Sequence, residues 1–264
     1  MIEERGQLRH RLIFGAYPEV VTTPAMARET LAYIAGDYLY KDLFRLEQIK
    51  KNRSIGKYRA GLSPATRRRS ILSRTGPSGR RVATDRGDLL EKAFIVFRLP
   101  AFSRNLRNEI EKGRKIYFWD NGIRNAVLGN FSHIETRTDA GALWENYMVA
   151  KRLKLHHYAR TFARAYFWRT TEQQEVDYIE ELDGQLTAFE FKWNPTGRAK
   201  LPKALGQKYP IRAFHIVTPE NYDLYLTAEA LTREGEEAWS KSSLRRCRDA
   251  SMPPHLLSGS DQNS

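Results

Sequence analysis

The Asp183-Gly184 pair constrains this chain more than any other feature. It stands between EVDYIEEL and QLTAFEFKW, two runs in which aromatic or branched residues alternate with polar ones. A two-residue Asp-Gly connection between such runs predicts a β-hairpin with a type I′ turn, because both central residues must take positive φ for the strands to keep their twist. The turn sets the register. Residues facing each other across the hairpin have numbers adding to the same total as 183 and 184, so Asp177 faces Glu190 and Glu175 faces Lys192. Side chains alternate along a strand, which puts Lys192 on the same side as Glu190. Strict alternation assigns Val176, Tyr178, Phe189, Phe191 and Trp193 to a core face. It assigns Asp177, Ile179, Leu186, Ala188, Glu190 and Lys192 to the other.

Two carboxylates held opposite each other repel and weaken the pairing. A divalent cation between them removes that cost, and Mg²⁺ suits a site of one or two carboxylates completed by water and phosphate oxygens. Asp177 and Glu190 are therefore candidate metal ligands. Lys192 beside them is placed to orient an attacking water or to offset charge building on a phosphoryl group. Asp177, Glu190 and Lys192 are the candidate catalytic residues, and Glu145 on the preceding helix is a further candidate ligand. The plainer reading is a surface ion pair between Glu175 and Lys192, with Glu190 an ordinary solvated residue.

Around the hairpin the chain reads as an α/β unit. DAGALWENYMVAKRLKLHH predicts a helix, YFWRT a strand, LPKALGQKY a helix and AFHIVTP a strand, so residues 139–225 have the order α-β-β-β-α-β. Residues 89–138 read as a connector: a helix-to-strand passage, a strand in KIYFWD, an Asn121-Gly122 turn and a short helix. In residues 1–50, Thr23-Pro24 is a helix entry, with Leu31, Ile34, Tyr38 and Leu39 at helical spacing. Residues 226–264 are rich in Ser, Arg and Pro and read as a disordered tail.

The charge is unevenly placed. Between Lys51 and Gly87 eleven Lys and Arg face Asp85 alone, so +10 of the chain's +13 lies in one stretch. That stretch has no apolar period and reads as a linker within residues 51–88. Arg67, Arg68 and Arg69 there are candidates for nucleic-acid phosphates, or a solvated run. A single cysteine, Cys247, excludes a disulfide scaffold and fits a reducing, cytoplasmic compartment. No apolar run approaches the ~20 residues of a membrane span.

Other motifs are negative. No G-x-x-x-x-G-K-[ST] occurs, and Gly56-Lys57-Tyr58 lacks the first glycine and the hydroxyl residue, so ATP binding through a P-loop is not expected. His156 and His157 read as a solvated pair and His215 as a buried or edge histidine. Trp144, Phe167, Trp168 and Trp193 read as core rather than as base-stacking platforms.

LLEKAFIVFRLPAFSRNLRNEI, KIYFWDNGIRNAVLGNF, GALWENYMVAKRL and FWRTTEQQEVDYIEELDGQLTAFEFKWN resemble a family of bacterial and archaeal proteins. In that family an AAA-type ATPase domain precedes a C-terminal domain of unknown function, which looks like a winged helix followed by a PD-(D/E)xK nuclease-like fold. The resemblance covers about residues 89–225, and RLIFGAYPEVV and IAGDYLYKDLF look like the region just after the ATPase core. It implies a restriction-endonuclease-like α-β-β-β-α-β core, with the family's helix glutamate at Glu145, its aspartate at Asp177 and its E-x-K pair at Glu190 and Lys192. The expectation is thus the C-terminal part of a longer protein, with a helical remnant over 1–50 and the winged helix replaced at 51–88, as by a frameshift. The functional expectation is Mg²⁺-dependent hydrolysis of DNA phosphodiesters. The alternatives are a non-catalytic module that binds DNA or protein for an ATPase, and a gene remnant without function.

Overall fold

The structure is a computed structural model and describes residues 2–36, 88, 90–104 and 113–227. The basic run with Arg67, Arg68 and Arg69 lies outside the described residues, as do Tyr38, Leu39 and the tail beyond 227.

Among the described residues the chain opens with helices α1 (Ile2–Phe14), α2 (Pro18–Thr22) and α3 (Ala27–Gly36). Proline at the first turn of α2 costs no hydrogen bond, because that N–H would be unpaired in any case. Strands β1 (Val96–Pro100) and β2 (Arg114–Phe118) form an antiparallel pair, and helix α4 (Asn121–Leu128) follows. The Asn121-Gly122 pair is the first turn of α4 rather than a loop. Asp120 caps it, accepting from Ile123 N at 3.2 Å and from Ala16 N at 2.7 Å, which ties α4 to the α1–α2 connection. At Gly122 a Cβ would collide with the Phe14 carbonyl, so glycine is what lets α1 end against α4.

The remainder takes the expected order: helix α5 (Ala140–Tyr158), strands β3 (Arg164–Arg169), β4 (Glu175–Leu182) and β5 (Gln185–Phe191), helix α6 (Lys203–Lys208), strand β6 (Ile211–Val217) and a last turn α7 (Tyr222–Tyr225). The sheet order is β3-β4-β5-β6, antiparallel except for the parallel β5–β6 pair, which needs the crossover that carries α6. A bridge between Ala101 and Phe167 joins the end of β1 to the β3 edge. The described residues therefore form a mixed α/β structure with two sheets.

The hairpin has the register read from its turn. Pairs run from Tyr178–Phe189 to Leu182–Gln185, and Asp183 and Gly184 have φ of 50° and 76°. Strict alternation fails on the other side of β4. Tyr166 pairs with Ile179 but Trp168 pairs with Val176, so β4 has one residue more than β3 between these pairs, a β-bulge at Asp177-Tyr178. Val176 consequently packs with Ile179, Leu186, Ala188, Leu205 and Tyr209, not with Tyr178 as expected. That second face is itself a core, covered by α6. The first face packs Tyr178, Phe189 and Phe191 against Leu143, Trp144 and Met148 of α5. Trp144, Phe167 and Trp168 are all buried, as core residues.

Candidate active site

Helix α5 lies on the β4–β5 hairpin so that Glu145 comes to the end of the sheet where Asp177, Glu190 and Lys192 stand. The β4–β5 ladder stops at Tyr178–Phe189, one step short of Asp177 and Glu190. There the Asp177 carboxylate takes over from the ladder: Phe191 N donates to Asp177 Oδ2 at 2.9 Å. The bulge turns Asp177 away from its expected neighbours Ile179 and Leu186 and toward Glu145.

Each carboxylate has a distinct set of partners. Glu145 Oε1 accepts from Lys115 Nζ at 2.8 Å and from the Tyr117 hydroxyl at 2.5 Å. Glu190 Oε1 accepts from Lys192 Nζ at 2.8 Å. Glu175 contacts Lys115, with Arg169 at 3.6 Å on its outer side. Among the described residues Asp177 has Lys115 at 3.9 Å and the Phe191 N–H, with a weaker charge interaction with Lys192. The expected Glu175–Lys192 surface pair is therefore not formed; Glu175 turns to Lys115 and Lys192 to Glu190.

The three inner carboxylates share two ammonium groups, and Asp177 bears the shortfall. Burial, reinforced by the charges of Glu145 and then Glu190, pushes its carboxyl well above the ordinary aspartate value of 3.8, against the pull of Lys115 and Phe191 N–H. Burial pulls the Lys115 ammonium down, but Glu145, Tyr117, Asp177 and Glu175 outweigh it and raise that ammonium well above an ordinary lysine. Burial likewise lowers Lys192, and its hydrogen bond and charge interaction with Glu190 raise it overall. Both lysines are cationic throughout the physiological range. Gly197 packs against the Lys192 stem, where a Cβ would stand 3.0 Å from Lys192 Cβ.

The chemistry of the donor set is that of a hard divalent ion's ligands: acidic oxygens from three elements with fewer ammonium groups than carboxylates. Among the described residues, however, no three His, Cys, Asp or Glu side chains already stand as a metal-holding group. Lys115 stands among them instead. The hairpin reading missed this residue, which lies far upstream on β2. A signal was present in KIYFW, where Lys115 and Tyr117 are two apart and share a side of the strand.

A second polar cluster was also missed. Arg152 grips Glu180 with Nε–Oε1 at 2.5 Å and Nη2–Oε2 at 2.8 Å, and its Nη1 donates to Tyr225 O at 2.5 Å. His156 is not solvated as expected but buried here, with Nε2 2.8 Å from Glu180 Oε1 and Nδ1 2.6 Å from Thr161 Oγ1. A carboxylate only accepts, so Nε2 carries the proton. Burial raises Glu180, but Arg152 and then His156 bring it down to about 2. His215 is buried as expected, and burial, helped by Arg152, lowers it to about 4. A cavity of about 500 Å³ lined by Ser103, Arg104, Lys208, Tyr209 and Pro210 includes none of these groups.

Residues 5–133 match the model of a domain of unknown function, DUF8612, and residues 140–237 that of another domain of unknown function, DUF4143. Uncharacterized proteins of Mycobacterium bovis and of Mycobacterium tuberculosis are each 30% identical to the chain over 111 residues, 41% of its length. The match spans about a quarter of those relatives, 24% of each. No solved structure matches the chain. Among the described residues no helix is long and apolar enough to cross a membrane.

Proposed function

We propose that residues 139–225 form a PD-(D/E)xK nuclease-like domain that hydrolyses DNA phosphodiesters with Mg²⁺, within a chain related to the C-terminal part of AAA-type ATPases. The observation that carries this reading is the gathering of Glu145, Asp177 and Glu190 from α5, β4 and β5 at one sheet end, with Lys192 just past β5, where three carboxylates share only the two ammonium groups of Lys115 and Lys192. Asp177 and Glu190, with Glu145 beside them, are the residues to hold the metal. Bound there, the metal would polarise the phosphoryl oxygen and acidify a water. Lys192, held by Glu190 and 34% exposed, reaches solvent and is placed to orient the water and offset charge on the phosphate. Asp177 uses Oδ2 for the Phe191 N–H, and Oδ1 faces Lys115 Nζ at 3.9 Å, beyond hydrogen-bond distance.

Cleavage of duplex, single-stranded and branched DNA by wild type and Asp177→Asn, with Mg²⁺ and with EDTA, is the test. Metal-dependent cutting that falls by two orders of magnitude or so in the variant is expected, the usual scale for removing a key electrostatic group. Equal cutting by both proteins, or none by either, removes the nuclease reading.

One observation favours the second reading, a non-catalytic DNA- or protein-binding module of an ATPase. Lys115 already neutralises part of the acidic cluster, as a purely structural network would require. Salt-sensitive DNA binding that persists in Asp177→Asn/Glu190→Gln, without cleavage, would establish it.

A further inference from the structure

Lys115 does not belong to the hairpin that carries the acidic motif. It comes from β2, whose pairing with β1 and the bridge from β1 to β3 hold it against the sheet edge. Its side chain is only 11% exposed. Nζ stands 2.8 Å from Glu145 Oε1 and 3.9 Å from Asp177 Oδ1 and touches Glu175, with the Phe167 ring centroid 5.4 Å away. Tyr117, two residues on, donates to the same Glu145 oxygen and so fixes the strand end from which Lys115 reaches in. A lysine ammonium is a compact point charge on a movable four-carbon stem. Lys192 differs: it is more exposed and bonded to Glu190.

Resting on the metal-binding reading above, we infer that Lys115 is a built-in counter-ion that occupies the carboxylate cluster in competition with a divalent cation. A cation entering between Asp177 and Glu145 meets the ammonium as a like charge in a poorly solvated place. Loading then requires the Lys115 head to leave those two carboxylates. The β1–β2 pair thereby controls a site built by α5, β4 and β5, and any partner that shifts β2 shifts metal affinity with it.

The test is Mn²⁺ binding to the full chain, followed by electron paramagnetic resonance of the free ion, for wild type, Lys115→Met and Lys115→Met/Asp177→Asn. Lys115→Met is expected to bind about ten-fold or more tightly than wild type, and the double variant to lose the gain. In wild type, amine acylation read by mass spectrometry should find Lys115 protected without metal and labelled at saturating Mn²⁺. Equal affinity in wild type and Lys115→Met overturns the counter-ion role and leaves the metal reading standing. No binding by either protein removes both. Where Lys115→Met does not fold without metal, Mn²⁺ should restore its circular dichroism. A variant that stays unfolded in millimolar Mn²⁺ also overturns the inference, because the displacing cation must be able to take the ammonium's place.

Discussion

One stripe of α5 carries Glu145, Val149, Arg152 and His156 at helical spacing and serves two buried charge clusters that are balanced differently. At the C-terminal end Arg152 and His156 surround Glu180, which receives three hydrogen bonds and titrates at about 2. At the N-terminal end Glu145 joins Asp177 and Glu190, and burial with like charges pushes Asp177 well above its ordinary value. The first cluster is complete as folded and binds helix to sheet. The second is incomplete, and the proposed metal site rests on that incompleteness. Strongly shifted groups arise in both, so the sign of the shift and the presence of a matching partner separate a structural ion pair from a candidate site.

The largest expected effect is at the complete cluster. Arg152→Met leaves Glu180 buried without its cation and should cost about 3–5 kcal/mol in urea unfolding. A cost below about 1 kcal/mol would mean that Glu180 is not held as described.

The pH dependence of stability comes next. Glu180 titrates below its ordinary 4.5, so its contribution is complete above about pH 4.5 and is lost as pH falls toward 2. His215 titrates below its ordinary 6.5, so the stability from keeping it neutral is complete above about pH 6.5 and is lost as pH falls toward 4. Each shift corresponds to roughly 3 kcal/mol at full effect. Urea midpoints of His215→Gln should therefore be flatter than wild type between pH 6.5 and 4, with the lower limb unchanged. Identical curves would contradict the assignment.

Smaller effects are expected at the incomplete cluster. Tyr117→Phe removes a partly buried hydrogen bond to Glu145 and should cost about 1–2 kcal/mol. Asp177→Asn should act in the opposite direction. Because the folded pKa of Asp177 lies above its unfolded value, its ionised form disfavours folding as pH rises past about 4. Its replacement should therefore stabilise the metal-free protein at neutral pH, read as a higher urea midpoint than wild type. A substitution that stabilises the fold while abolishing metal-dependent cleavage would sharpen the contrast. A destabilising Asp177→Asn would break it.

The sequence made the hairpin register legible because a two-residue Asp-Gly turn admits one pairing, and Tyr178–Phe189 stands where that pairing requires. The order α-β-β-β-α-β was legible for the same kind of reason, since periods of two and 3.6 separate cleanly there. The bulge at Asp177 was not. A period of two has no term for an extra residue, so Val176 was assigned to the wrong face. Lys115 was hidden because its role depends on β2 reaching the edge of a sheet built from residues far downstream. His156 was misread because its partner Glu180 is on β4, 24 positions away.

The proposed site turns on Asp177, whose distant contact with Lys115 leaves it short of counter-charge that a divalent cation would supply. Titration of the Asp177 side-chain carboxyl by carbon-13 NMR, without metal and with Mg²⁺, tests it most directly. A midpoint above 3.8 is expected in the metal-free protein, with a downward displacement when Mg²⁺ is added. An ordinary midpoint, or a raised one that Mg²⁺ leaves unmoved, would contradict it.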